Sequence, residues 1–358
     1  MTILFLYVSV HELFLTFLGI LILVLLLIIV VLLYSFHQYK TLTHIHQWSE
    51  MIDEKVSEAI VYGPEEQKDN EIFNTYSQES SFRNLFLERL VASEKKFSGG
   101  AQDEIKKIFT NYNLQKEALK KLEQKKPHLI AEGIQELTAM KVETAVPKII
   151  PFLKHPSSQV YQEAQYAMVV FQGFQGLHFL NDFPYIISDW QQLRLLRSIN
   201  LDPDQCQQVV NVWLDSQNTS VIIFALRLLR KFQMLAFYDK AKALLAHPAI
   251  DVRIETVKAL QALETPSTIT EFKEIYEEQP LEVQIEILKA MKLSHDPRCA
   301  DFYKEKLNGT NLPGVKIAAA EALLALGYHD YLLGIIENDS SCPQLVQIIK
   351  HALQEKIC

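Results

Sequence analysis

A set of basic side chains recurs at a fixed place in the C-terminal two thirds of this sequence: Arg194 and Arg197, Arg227 and Arg230, Lys258, and Lys289 with Lys292. Each paired set is spaced by close to one helical turn, so a helix carrying it presents two cations on one face. Guanidinium forks grip carboxylates bidentately and stack on aromatic rings, and Trp190 lies close in sequence. The chemistry on offer is capture of an acidic segment rather than bond breaking. Glu255 and Glu286 precede Lys258 and Lys289 by one turn and can pair with them locally, at about 0.2 to 0.5 kcal/mol each. No carboxylate stands one turn before Arg194, Arg197, Arg227 or Arg230, so these four are expected to be free to meet an anion.

The elements that must position these cations form a repeat. An apolar template with positions 0, +4, +7, +8 and +11 starts at Leu129, Val160, Ser188, Val221, Val252, Val283, Val315 and Leu345. Steps of about 31 residues, with the marked positions on one face of a 3.6-residue helix, predict stacked helical hairpins. In the fifth copy Val252, Thr256, Ala259, Leu260 and Leu263 carry the pattern. In the seventh Val315, Ala319, Ala322, Leu323 and Leu326 do so, with Gly327 as the stop. Pro156, Pro248, Pro280, Pro313 and Pro343 precede their templates and mark the turn between paired helices. The cations occupy +6 and +9, facing away from the apolar stripe.

The stretches HPAIDVRIETVKALQALE (His247 to Glu264) and LPGVKIAAAEALLALG (Leu312 to Gly327) resemble HEAT repeats, in particular the short bacterial form called lyase-like HEAT, over roughly residues 113 to 358. The resemblance implies an all-α, right-handed α-solenoid of about eight HEAT-like hairpins, in which second helices line the concave surface. It also implies a basic residue after the first valine that braces a neighbouring loop, a place held here by Arg253 and Lys316. The copy from Ser188 to Ile199 matches least. On this reading the cations, with Trp190, form a basic stripe along the concave face that binds an acidic segment of a protein partner.

Ahead of the repeats the chain changes character several times. After a short tail (1–12), Leu13 to Tyr34 is uncharged, with Thr16 its one clearly polar residue. At about 1.5 Å per residue this spans a hydrocarbon core of roughly 30 Å, so 13–35 is expected to be a single transmembrane helix. Neither a basic beginning nor a small-residue cleavage site accompanies it, which predicts an uncleaved anchor. Lys40 and Lys55 follow the span and no Lys or Arg precedes it, which favours a cytoplasmic C-terminal domain. Residues 36–62 read as a helical stalk, where Leu42, Ile45, Ser49, Ile52, Val56 and Ala59 form a seam for a homodimer, or an amphipathic face that lies on lipid or against the repeat domain. Residues 63–81 read as an acidic flexible tether whose Glu65, Glu66, Asp69, Glu71 and Glu79 could compete for the basic stripe. Residues 82–112 read as helices capping the solenoid at 113–358.

No phosphate-cradling glycine loop, HExxH, paired CxxC or nucleophile elbow is present. His155 and His247 precede prolines in turns, His295 to Cys299 lacks partners at ligand spacing, and His44 with His46 beside Trp48 suits a membrane-interface belt. Neither catalysis, metal nor cofactor is expected. A net charge of −8 gives no broad positive field for nucleic acid. Cys206, Cys299, Cys342 and Cys358 show no framework spacing, which suits a reducing compartment. The expected function is a membrane-anchored, non-catalytic scaffold that binds a protein partner. The alternatives are an accessory subunit of a membrane transport or envelope polysaccharide assembly and, by family resemblance, a bilin lyase.

Overall fold

A computed structural model describes residues 10–62, 71–199, 206–309, 312–338 and 342–354. Among these residues every regular element is helical. The chain forms two compact units, Met1–Ile150 with Ser157–Glu163, and Pro151–Pro156 with Ala164–Cys358.

The first unit begins with α1 (Val10–Tyr62), an unbroken helix of 53 residues. Its stretch Leu13–Phe36 is long and apolar enough to cross a membrane, with a mean hydropathy of 3.5 and no part buried. Farther along, the seam turns inward: Ile52, Val56 and Ala59 are buried, and α1 packs on α3 (Ser80–Glu94) and α4 (Gly100–Asn111). These three seam residues are therefore covered within the chain, by the segment read as capping helices rather than by the repeats. The unit continues with α5 (Gln115–Leu122) and α6 (Pro127–Ala139), which pack on each other and on α3.

One expectation needs correction here. The stretch read as a flexible tether as far as Ser81 is structured from Glu71 on, where α2 (Glu71–Tyr76) forms. Phe73 is buried edge-on to Phe82 at 5.2 Å and Phe86 at 5.3 Å, with Tyr112 at 5.5 Å. Two aromatic rings in a polar stretch suffice, because such a ring buries roughly 150–250 Å². Glu71 and Glu79 belong to this ordered part; Glu65, Glu66 and Asp69 lie outside the described residues.

The template helices are α6, α8 (Ser158–Gln172), α9 (Asp189–Ser198), α11 (Thr219–Phe232), α13 (Ile250–Ala262), α15 (Leu281–Leu293), α17 (Pro313–Ala325) and α19 (Pro343–Gln354). Positions +4, +7 and +8 are buried in all of them, save Leu353, which is half-buried. Each buried Val or Leu contributes about 1.5–3 kcal/mol, so these faces hold the helices together. In the second unit α11 packs on α13, α13 on α15, α15 on α17 and α17 on α19. The intervening helices α7 (Val146–Ile149), α10 (Gln207–Leu214), α12 (Tyr238–Ala243), α14 (Thr268–Ile275), α16 (Ala300–Asn308) and α18 (His329–Glu337) are shorter. In the weakest copy the preceding segment, Gly173–Asn181, winds as a 3-10 helix instead. Gly176 is needed there, because a Cβ would lie 2.2 Å from the Met168 carbonyl oxygen.

The left-handed stop seen in the sequence only at Gly327 recurs at the same template position, +12, in Lys141, Gln233 and His295, with φ of 54°, 51° and 49°. Side-chain type therefore hides a cap that the backbone adopts regardless.

Candidate functional site

Three helices of the second unit bring the central cations together. Ser188 opens α9 by accepting a hydrogen bond from the Gln191 amide at 3.3 Å, and Asn218 opens α11 by accepting from the Ser220 amide at 3.0 Å. Arg253, just after the first valine of α13, donates from Nε to the His247 carbonyl at 2.5 Å and so ties that helix to its preceding turn. Between these helices lies a groove of about 650 Å³, lined by Asp189, Leu193, Arg197, Arg227, Arg230 and Lys258, among others.

The cations are not equivalent. Arg227 donates to the Gln192 side-chain oxygen at 3.0 Å, and pairs with Asp189 at 2.8 Å and with Glu255 at 3.5 Å. Arg230 pairs with the same Glu255 at 3.1 Å. Glu255 is buried, so one carboxylate on α13 serves two guanidinium groups from α11. This corrects the expectation that Arg227 and Arg230 stand free. Their partners come from neighbouring repeats, at +1 of the copy before and +3 of the copy after, where a search along one helix does not look. Arg197 is exposed and Lys258 half-buried in the same groove, and among the described residues neither makes an ion pair.

Arg194 departs from the group. Its guanidinium carbon lies 3.8 Å over the Tyr166 ring, so its aromatic partner is Tyr166 rather than Trp190. Trp190 is 71% exposed and does not line the groove. Lys292 pairs with Glu321 at 2.8 Å, and Lys289 is exposed on α15; neither lines the groove. Lys231, absent from the expected set, lines it and donates to the carbonyls of Leu196 and Ile199 at the end of α9. Burial pulls its ammonium below the usual lysine range. A stripe expected to cross four repeats thus contracts to a groove centred on α9, α11 and α13. Its cations, Arg197, Arg227, Arg230, Lys231 and Lys258, outnumber the acids Asp189, Asp251 and Glu255 that line it or the adjoining hollow.

Elsewhere, His46 lies 3.3 Å from Glu50, both highly exposed on α1. Among the described residues no three His, Cys, Asp or Glu side chains gather as a metal site would require. Asp296 accepts from the Arg298 amide at 2.9 Å and caps its turn, while Cys299 is buried and its thiol is pushed up by burial.

No family model matches this chain, and no curated protein matches it. Among solved structures, a crystal structure of an engineered protein aligns over 84% of this chain and 87% of its own, at 14% identity and a TM-score of 0.31. The complex of CpcE and CpcF of phycocyanin lyase from Nostoc sp. aligns over 81% of this chain and 97% of its own, at 14% identity and a TM-score of 0.25.

Proposed function

We propose that this chain is a membrane-anchored adaptor, its Leu13–Phe36 stretch inserted in a bilayer and its repeat helices stacked as a HEAT-like solenoid facing the cytoplasm. The groove between α9, α11 and α13 receives an acidic segment of a protein partner. One observation carries this reading: Arg197 and Lys258 line a groove with an excess of cations, and no carboxylate among the described residues pairs with either. Arg227, Glu255 and Arg230 form the rigid floor between them. Two charge-assisted contacts at about 1.5–3 kcal/mol each make a weak site by themselves. Confinement of both partners to one membrane raises the effective concentration enough for such contacts to matter.

The test is affinity purification from native membranes in mild detergent, comparing the natural chain with the Arg197→Glu, Lys258→Glu variant. Both positions lie outside the internal ion pairs, so the variant keeps its helicity and Tm. Loss of one co-purifying partner is the expected result, and restoration by a partner with its acidic segment reversed to lysines would complete it. Unchanged recovery removes the groove from consideration. A reporter fused after Cys358 that works only after export would reverse the orientation.

A further inference from the structure

The first unit contains a second groove, of about 660 Å³, with the opposite electrostatic character. Its apolar surface comes from Ile45 and Trp48 on α1, Tyr76 on α2 and Leu85 on α3. The rings pack closely, Trp48 to Tyr76 at 5.8 Å and Trp48 to Phe82 at 5.6 Å. The buried indole nitrogen of Trp48 has no acceptor among the described residues. Glu79, Glu88 and Glu132 line the same groove. Its one lysine, Lys121, is already held by Glu132 at 2.7 Å and by the buried Glu136 behind it at 2.6 Å. Glu79 and Glu88 are exposed and, among the described residues, make no ion pair.

The groove stands close to where the apolar stretch of α1 ends. His44, on its edge, lies along the same unbroken helix about 12 Å beyond Phe36, at about 1.5 Å per residue. If Leu13–Phe36 occupies a bilayer, as proposed above, the groove opens just outside the headgroups. Lys and Arg concentrate there on the cytoplasmic flanks of membrane helices.

We infer that this groove docks a basic amphipathic segment immediately flanking the membrane span of another protein, its apolar side chains on Trp48, Ile45, Tyr76 and Leu85 and its cations on Glu79 and Glu88. Charge decides against the nearer occupants. Residues 63–70 of the chain itself carry Glu65, Glu66 and Asp69 against Lys68, the same sign as the rim. A second copy offers little beyond Lys40 on its own flank, since Lys55 is buried. The inference uses the membrane reading but not the arginine groove, so either site can fail while the other stands.

The full chain, reconstituted in nanodiscs of zwitterionic phosphatidylcholine, is titrated with a labelled helical peptide built of leucine and lysine, and with the same peptide carrying glutamate for lysine. The lysine peptide is expected to bind in a salt-sensitive manner, and the glutamate peptide to bind at least tenfold more weakly at this groove. Glu79→Lys with Glu88→Lys should weaken the lysine peptide about tenfold, in keeping with about 1.4 kcal/mol per decade. Glu79→Gln with Glu88→Gln, which adds no repulsion and spares the fold, should lower it several-fold. Trp48→Phe, which keeps a ring but removes the N–H, should also weaken it. Binding unchanged in both carboxylate variants overturns the proposal, as does equal affinity for the two peptides. A photo-crosslinker placed at His44 that joins two copies of this chain, and not the peptide, overturns it in favour of self-association.

Discussion

Arg230 on α11 and the buried Glu255 on α13 lie 3.1 Å apart, with Arg227 approaching the same carboxylate at 3.5 Å. Changing both arginines to methionine leaves that carboxylate buried without a counter-charge, a situation that costs about 3–5 kcal/mol. Adding Glu255→Gln to the double variant should recover about 2 kcal/mol or more, because an amide tolerates burial far better than an anion. Urea melts of the three proteins measure this. If the double variant is as stable as the natural chain, Glu255 is not dependent on these partners, and the groove has no rigid floor.

The second prediction concerns pH. Burial pushes Glu136 on α6 up to about 7 despite its contact with Lys121. A folded-state value above the unfolded one means that the native state holds the proton more tightly. Stability then falls as pH rises from about 4.5 through 7, and the loss is complete above that range. Glu136→Gln removes the dependence. The variant should match the natural chain near pH 4.5 and exceed it by up to about 3 kcal/mol above pH 8, the Lys121 contact being already included in that shift. A stability difference that stays flat between these limits would refute the assignment.

Gly133, inside α6, offers a prediction whose sign propensity alone gets wrong. Alanine is favoured over glycine in a helix by about 1 kcal/mol. At this position, however, a Cβ would lie 2.7 Å from the Ala118 carbonyl oxygen and 2.8 Å from the Lys121 Cβ on α5. Forcing these helices apart costs about 1–3 kcal/mol and disturbs their whole shared face. Gly133→Ala is expected to lower Tm; a raised Tm would mean that α5 and α6 do not pack this closely.

The reverse holds at the end of α11. Gln233 sits at φ 51° as the left-handed cap, and its backbone N–H donates to the Leu229 carbonyl, a bond that glycine keeps. Gln233→Gly should stabilise the chain by several tenths to about 1 kcal/mol, since glycine adopts this conformation without Cβ strain. The loss of a Gln233 side-chain bond to the Arg230 carbonyl, 2.9 Å and exposed, offsets little. Destabilisation by this change would argue that the +12 stop is not left-handed in solution.

The apolar period was legible because burial at +4, +7 and +8 is a property of single helices, and a 3.6-residue turn writes it directly into the residue order. For the same reason the long apolar stretch of α1 could be read without any neighbour. The expected tether gives way to structure from Glu71 on because average composition conceals how much two rings such as Phe73 and Tyr76 can bury. The stops at Lys141, Gln233 and His295 were invisible because a left-handed backbone there is imposed by the helix end and the next packed segment, not by residue type.

The candidate groove divides along the same line. Sequence alone determined that Arg197, Arg227, Arg230 and Lys258 share the face opposite the apolar seam, since position along one helix sets the direction of a side chain. Only tertiary structure decided that Glu255 and Asp189 neutralise the central pair, that Arg194 turns to Tyr166, and that Lys231 enters. Charges attract through space across roughly 3–4 Å between helices that are about 31 residues apart in the chain, and no spacing rule within one helix encodes such a meeting.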